Sequence, residues 1–493
     1  MYSCVRFLII VMLLSTAITG CMVGPDFHSP GAPRTKAYTK TPLPEKTVSI
    51  NTPGGHAQRY VMGETIPAAW WTVFHSKELD CLLRAGIAHS PNVAAAQAAL
   101  AQAKELYYAQ IGSTLFPAFS GQLGGSRQRT VSSAFGGDIP SLTYDLYNAT
   151  VNVTYTLDVF GGARRAIENL RAQVDYQAFQ YEAAYLTLAS NIVTTAITAA
   201  SLQAQIKATR QLIKSQENEL NIFKKQYKLG GISGVDVQTQ LSQVAQIRAT
   251  LPPLEQSLAQ AHHALAVLVG EFPNQRQFPD INLNTLHLPA NLPVSLPSRL
   301  ARQRPDIRAS EALLHAACAQ VGVATANLYP QISLTGAYGW ESGIPANLFN
   351  SSNNLWNFGG SLVQPIFNAG SLMQKKRAAI DAFDQASAQY RQVVLNAFQN
   401  VADTLRALQH DAEAFRAQTQ FEVASKNAYE ITRKQYYMGG VTYVSLLIAE
   451  RQYQQAVITR IQAQAARYND TAALFQALGG GWWNRKCEVC SHG

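Results

Sequence analysis

The chain has 493 residues, of which 14% are charged, and its formal net charge is +9 at pH 7. This length allows two or three domains around a large core. The positive charge is spread thinly, with no basic block longer than Lys375–Arg377. A nucleic-acid-binding protein, which concentrates its charge on one face, is therefore disfavoured, whereas a modest basic excess suits a protein beside anionic lipid.

The N-terminus predicts export. Arg6 precedes an apolar run, Phe7–Leu14, and small residues follow it up to Cys21. This order is typical of a secretory signal, and the run is too short to span a bilayer. Residues 18–21 resemble a bacterial lipobox, which would make Cys21 the lipidated first residue of the mature chain. Met22, rather than Asp, follows it and predicts transfer to the outer membrane. The alternative is a soluble exported protein with a chance cysteine.

Period-two patterns predict strands in two places. From Tyr147 to Val159 apolar residues alternate with a polar set: Asn148, Thr150, Asn152, Thr154 and Thr156. Residues 116–126 are predicted to pair with this strand, and residues 331–340 and, more weakly, 355–367 form a second pair. The pattern fits a half-exposed soluble sheet or a membrane barrel wall, and the lipid signal favours the barrel.

Each predicted strand pair precedes a long helix. Residues 162–229 and 370–438 lack proline and are rich in helix-forming residues, so each could form a rod of about 100 Å. In the first, positions such as Leu188, Ile192 and Phe223 recur by threes and fours, which predicts a coiled-coil seam. Returning helices follow at 236–269 and 444–478, the first with a break at Pro252–Pro253. No segment after the signal is assigned as a membrane-spanning helix.

The turns between these helices repeat. The chain reads KKQYKLGGISGVDVQ from Lys224 and RKQYYMGGVTYVSLL from Arg433. Both copies place a Gly-Gly where a long helix ends, and glycine supplies the left-handed conformation that ends helices. The sequence therefore predicts two helical hairpins and an internal duplication. The predicted divisions are a signal peptide (1–20), a lipidated extended segment (21–70), a first repeat (71–269), a Pro-rich linker (270–297), a second repeat (298–480) and a tail (481–493).

Catalytic motifs are absent from the sequence. It contains no HExxH, Walker loop or nucleophile elbow. His262 and His263 are adjacent and so face different sides of a helix. Cys487 and Cys490 form a lone CxxC, which fits a redox or metal site less well than a frayed tail. We therefore predict no enzyme activity, no cofactor and no metal site.

Four segments carry a family resemblance: Cys21–Pro30, Ala69–Leu100, Leu296–Gly339 and Ala477–Trp482. They resemble the TolC-like outer-membrane efflux proteins, specifically the lipoprotein subfamily that partners RND-type pumps (the OprM/NodT type). The most specific match is Arg304–Ile307, which reads Arg-Pro-Asp-Ile.

The resemblance implies a mixed α and β membrane protein. Its trimer would form a twelve-stranded outer-membrane β-barrel, with four strands per chain, continuous with a periplasmic α-helical coiled-coil barrel. Geometry agrees, because about eight strands from two chains would leave no lumen. The expected function is passive conduction of drugs or other small molecules from a periplasmic adaptor and an RND-type pump. The alternative is a lipid-anchored periplasmic coiled-coil scaffold without a pore.

The resemblance also implies sites. The hairpin turns would be periplasmic tips that contact the adaptor, through Gly230, Gly231, Gly234, Gly439 and Gly440. Asp236 and Tyr436 would help to hold the aperture shut, although Asp236 could simply cap the returning helix. Family members with acidic aperture residues carry them where this chain has Ser445 and Ile448, so a strong acidic ring is not expected. The polar residues from Asn148 to Thr156 would line the barrel lumen.

Overall fold

The computed structural model describes residues 22–33, 35, 37–130, 141–275, 278 and 281–485. The predicted signal peptide, Cys21 and the Cys487–Cys490 pair lie outside these residues. The chain forms two compact units, one from residues 1–30, 99–178 and 309–391, the other from 31–98, 179–308 and 392–493. Each unit takes segments from both halves of the sequence.

The described chain contains eight α-helices and six strands. In chain order they are β1 (Arg59–Met62), α1 (Lys77–His89), α2 (Pro91–Leu115), β2 (Ala118–Thr130), β3 (Leu142–Leu157), α3 (Gly162–Lys228), α4 (Gly234–Leu268), β4 (Asn291–Val294), α5 (Pro297–Gln303), α6 (Pro305–Ala326), β5 (Gln331–Ser342), β6 (Asn354–Val363), α7 (Ser371–Tyr437) and α8 (Tyr443–Ala477).

The first unit contains a four-stranded antiparallel sheet in the order β2-β3-β5-β6. Its strands overlap the four segments that the sequence predicts. At the start of α3, the Asp158 carboxylate accepts hydrogen bonds from the backbone amides of Ala163 at 2.9 Å and of Arg164 at 3.0 Å. These bonds satisfy amide groups that have no partner inside a helix.

The four long helices match the predicted hairpins. α3 and α7 have 67 residues each, and α4 and α8 have 35 each. The predicted seam of α3 is buried at Leu188, Ile192 and Phe223, whereas Tyr227 near its end is exposed.

Two predictions about these helices are wrong. α4 continues through Pro252 and Pro253 without a break. The two prolines leave the carbonyls of Arg248 and Ala249 without helical donors, but both residues are exposed and water can serve those carbonyls. The second error concerns α3, which does contain a window apolar enough and long enough to cross a membrane. Half of that window is buried by the protein itself, as in an ordinary core helix.

The helix that the resemblance implies within Ala69–Leu100 is divided in two. It ends at His89 and resumes at Pro91, with Ser90 between α1 and α2 in an extended conformation. Proline suits the first position of a helix, since its missing N–H would have no helical partner there, and it disfavours helical geometry at the residue before it.

The second unit has a large apolar core. Trp70 stacks on Phe475 with ring centroids 5.4 Å apart, and both side chains are almost fully buried. A small parallel pairing of β1 with β4 joins the predicted extended segment to the predicted linker. The sequence does not predict this pairing.

The described residues before β1 are mostly irregular, as predicted, and buried Arg467 holds part of them. Its guanidinium donates to the carbonyls of Gly54, at 2.6 Å, and His56, at 2.5 Å. In the first unit, Arg165 forms ion pairs with Asp26 at 2.6 Å and Glu168 at 2.7 Å. Buried arginines therefore hold both irregular stretches, at Gly54–His56 and at Asp26, against helices.

Candidate functional site

Both hairpin turns close with the same hydrogen bonds. Gly230 donates to the Tyr227 carbonyl at 3.0 Å and Gly231 to the Gln226 carbonyl at 2.9 Å. In the second turn, Gly439 donates to Tyr436 at 3.0 Å and Gly440 to Gln435 at 2.8 Å. This pair of bonds is the Schellman motif, which satisfies the last carbonyls of a helix.

Only the first position of each Gly-Gly pair has a backbone conformation that requires glycine. Gly230 has φ of 74° and Gly439 has φ of 77°, in the left-handed region. Gly231 and Gly440 lie outside that region, and a Cβ on either would meet a carbonyl oxygen at an ordinary 3.5 Å. The left-handed conformation expected at the Gly-Gly turns is therefore adopted by the first glycine of each pair and not by the second. Gly234, at the start of α4, is also outside that region.

Asp236 forms a capping box. The Ser233 hydroxyl accepts a hydrogen bond from the Asp236 amide at 3.3 Å, and the Asp236 carboxylate accepts one from the Ser233 amide at 3.0 Å. The same carboxylate accepts a bond from the Ser233 hydroxyl at 2.8 Å. In the second turn Thr442 caps α8 through the Ser445 amide. In the single chain, Asp236 therefore caps α4, as the alternative interpretation predicts.

Tyr436 lies in an aromatic group below the turns. Its ring centroid is 5.9 Å from those of Phe223 and Tyr443. Burial, and next the negative charge of Asp236, raise the pKa of Tyr436. Within the part of the chain that the structure describes, its hydroxyl forms no hydrogen bond with Asp236. The two predicted gate residues are near each other but not bonded in one chain.

A buried cluster joins the two hairpins below their turns. We name it the tip cluster, and its members are Phe223, Tyr429, Tyr443, Leu446 and Ala449. It takes residues from α3, α7 and α8, and Val237 of α4 packs against it. The tip cluster fastens one hairpin to the other within the chain.

Next to the tip cluster is a chain of polar contacts that the sequence did not predict. The Tyr443 hydroxyl donates to the Gln240 side chain, whose amide donates to the Gln216 side chain at 2.7 Å. Both glutamines are fully buried. Arg451 donates to the Gln243 carbonyl oxygen at 2.9 Å. Glu219 and Glu450 are buried beside this network. Glutamine and glutamate usually mark exposed helix positions, but Gln216 falls in the predicted seam, which could have identified it.

The sheet of the first unit divides its side chains between two faces. Directly paired residues share a face, and the predicted lumen residues pair with small or polar residues. Asn152 opposes Ser120 and Ala337, and Thr154 opposes Ala118 and Thr335. Ser333 and Ser361 continue this face with their hydroxyl oxygens 2.7 Å apart.

The other face of the sheet is apolar and uncovered in the single chain. Its exposed side chains include Phe119 at 72%, Leu123 at 79%, Trp356 at 74% and Phe358 at 75% of their full exposure. The weak strand β6 departs from the pattern, because Leu355 and Val363 pair on the polar face. Large exposed apolar surfaces mark contact with a membrane or with another protein.

The chain resembles known proteins along most of its length. The family model described as "outer membrane efflux protein" matches residues 82–271 and 296–480. The pyoverdine export outer membrane protein OpmQ of Pseudomonas aeruginosa is 31% identical over 84% of this chain and 87% of its own. The cation efflux system protein CusC of Escherichia coli is 27% identical over 95% of this chain and 97% of its own.

Solved structures of outer-membrane channels share the fold. The solved structure of the outer-membrane channel OprN superposes with a TM-score of 0.85 and 25% identity, and the match covers 94% of this chain and all of that one. Together with the two-faced sheet, these matches confirm the resemblance in the sequence. The chain belongs to the outer membrane efflux protein family and is an outer-membrane channel component of an efflux system.

Proposed function

We propose that three copies of this chain form one passive duct, a twelve-stranded barrel in the outer membrane that continues into a periplasmic barrel of helices. The duct receives small molecules from an inner-membrane RND-type pump through a periplasmic adaptor. The chain has no catalytic role in this proposal. The observation that carries it is the sheet with one polar and one exposed apolar face.

The number of strands in the sheet supports a trimer. Four strands are too few to enclose a lumen, and about eight from two chains would be filled by their own side chains. Three chains give the smallest wall with an aqueous interior. Lipid then covers the apolar face, and the row from Asn148 to Thr156 faces the water.

Relatives are named for different cargoes, pyoverdine for OpmQ and cations for CusC. The polar wall of this chain is built mainly from uncharged groups such as Thr154, Thr335 and Ser333, with Glu341 opposite Asn148 as an acidic exception. Such a wall sorts solutes by size rather than by shape. We therefore propose that substrate choice is made by the pump.

The matched lengths of the helices support an internal duplication, in which both hairpins end in equivalent turns. We propose that these turns, at Gly230, Gly231, Gly234, Gly439 and Gly440, contact the adaptor. Their Schellman bonds and caps give each turn a defined shape, as a docking element requires.

A pair of strand variants tests the duct. Thr154→Arg on the proposed lumen face should leave assembly intact and shift the conductance in planar bilayers toward anions. Val153→Arg, one residue away on the proposed lipid face, should prevent insertion, because a midplane arginine costs about 2–4 kcal/mol. The mass of the purified protein in detergent should be that of a trimer. A scaffold without a pore would give no conductance and would tolerate both variants equally.

We also propose that Tyr436 helps to close the aperture. Its hydroxyl is unbonded within the described part of the chain, whereas Asp236 already caps α4. The hydroxyl is thus available to a neighbouring copy. Tyr436→Phe should raise single-channel conductance with assembly unchanged, and conductance equal to that of the unaltered protein would leave Tyr436 a packing residue.

Cys21 remains the proposed lipidation site. Mass spectrometry of the mature protein should find the chain beginning at a lipid-modified Cys21, and Cys21→Ser should change signal processing. Normal cleavage and anchoring of that variant would rule out the lipobox interpretation.

A further inference from the structure

Two buried glutamates lie one helical turn from the tip cluster. Glu219 precedes Phe223 by four residues on α3, and Glu450 follows Leu446 by four residues on α8. Residues four apart share one face of a helix, so both carboxyl groups point into the contact between the hairpins. Glu219 is 6% exposed and Glu450 is 4% exposed.

Neither carboxyl group has a hydrogen-bond or ion-pair partner among the residues that the structure describes. Oε1 of Glu219 is fully buried and lacks a hydrogen bond. Among the same residues, no ion pair within 4.0 Å reaches Glu219 or Glu450. An ionised carboxylate that is buried without hydrogen bonds is costly, and such a group holds its proton instead.

The surroundings offer little compensation for two negative charges. Arg433 of α7 acts on both glutamates, but its guanidinium is largely exposed and lies 5.9 Å from the Tyr429 ring centroid. Arg451, next to Glu450, donates to Gln243 instead. The titratable groups around the pair come from all four helices: Glu219 from α3, Asp236 from α4, Tyr429, Arg433, Tyr436 and Tyr437 from α7, and Tyr443, Glu450 and Arg451 from α8.

We propose that Glu219 and Glu450, when protonated, keep the two hairpins packed together below their turns, and that ionisation of the pair lets the hairpins separate. The pair would make closure of the channel end sensitive to periplasmic pH. The proposal rests on the proposed function in one respect, that the hairpin ends form the constriction.

The pKa values of the two glutamates determine how hairpin packing depends on pH. Burial, and next the charge of Glu219, raise the pKa of Glu450 from its usual 4.5 to about 8, and burial raises the pKa of Glu219. Separated hairpins would expose both groups to water and return the pKa values toward 4.5. The packed arrangement therefore binds an additional proton between these pH values and is favoured by acid. The ratio of packed to separated hairpins should fall by up to about tenfold per pH unit in this window.

Conductance in planar bilayers between pH 5 and pH 9 gives the first test. The open probability of the unaltered protein should rise with pH and level off above the pKa of Glu450. The double variant Glu219→Gln/Glu450→Gln keeps the shape of both side chains but cannot ionise, so its open probability should stay low and independent of pH. Glu430→Gln, at an exposed position of α7, is the matched control and should behave like the unaltered protein.

A distance measurement tests the pair without conduction. Spin labels at Lys225→Cys and Lys434→Cys, both exposed near the ends of α3 and α7, report the separation of the hairpins. Ser would replace Cys81, Cys318, Cys487 and Cys490, and labelled chains would be diluted with unlabelled ones. The distance should lengthen from pH 6 to pH 9, and it should stay constant in the double glutamine variant.

The two measurements separate the possible failures. A distance that does not change with pH overturns the proposal, as does a double variant that responds like the unaltered protein. Conductance that is independent of pH while the distance changes also overturns it, because the pair would then not control the opening. A change in distance without conductance in any variant would support the pair and refute the proposed duct.

Discussion

Val in place of both Gly230 and Gly439 should abolish growth in the presence of an exported compound while leaving the assembled protein at its normal level. Both residues have positive φ, where an L-residue with a side chain loses about 1–2 kcal/mol. A Cβ at either position meets no other atom within 4 Å, so the strain is confined to the backbone of the turn. That strain is small against the buried contacts of the hairpins, but it displaces the surface that docks.

The control for this experiment is the neighbouring pair. Gly231→Val with Gly440→Val introduces the same side chains one residue later, outside the left-handed region and at ordinary contact distance. This protein should support substantially more growth than the first variant. Equal loss in both would show that bulk at the tip, rather than backbone conformation, limits export. Normal growth of the first variant would contradict a docking role for the turns.

Arg304→Met should lower the thermal stability and the amount of assembled protein. The guanidinium of Arg304 is almost fully buried and donates to the carbonyl of Ala477, the last residue of α8, at 2.9 Å. It also pairs with both carboxylate oxygens of Asp306, at 3.0 and 2.7 Å. Methionine fills similar space but donates nothing, and a buried carbonyl that loses its donor costs about 1–3 kcal/mol. The Asp306 carboxylate loses its ion-pair partner as well, and retains the hydrogen bond from the Ile307 amide.

Arg302→Met provides the comparison. Arg302 lies two residues earlier, at the end of α5, and its side chain is exposed. The melting temperature of purified protein and its level in outer-membrane fractions should be close to normal for this variant and clearly lower for Arg304→Met. Equal melting temperatures for the two would mean that the Arg-Pro-Asp motif acts through something other than these hydrogen bonds.

The sequence predicts the long helices almost to the residue, because proline and glycine mark their limits. The predicted helix at 162–229 is α3 at Gly162–Lys228, and that at 370–438 is α7 at Ser371–Tyr437. Strand limits are less accurate. β3 begins at Leu142 rather than at Tyr147, since apolar residues before Tyr147 occupy even positions and the alternation changes phase there. β6 ends before Gln364–Pro365, where proline cannot donate to a ladder.

Long-range features could not be predicted. The pairing of β1 with β4 joins segments with no shared pattern, and it depends on how the helices bring them together. The hydrogen bond from Tyr443 to Gln240 and the burial of Glu450 were missed for a similar reason, since glutamine and glutamate in a helix carry no sign of burial. The turn glycines were found because positive φ has a local signature, although this signature did not distinguish Gly230 from Gly231.

The contacts of Arg467 have a consequence for the order in which the chain is completed. The segment that includes Gly54 and His56 is synthesised before Arg467, its donor. The segment therefore waits without these bonds while more than four hundred residues follow. Docking of this segment through these bonds therefore requires α8, because a chain truncated before α8 lacks the Arg467 guanidinium.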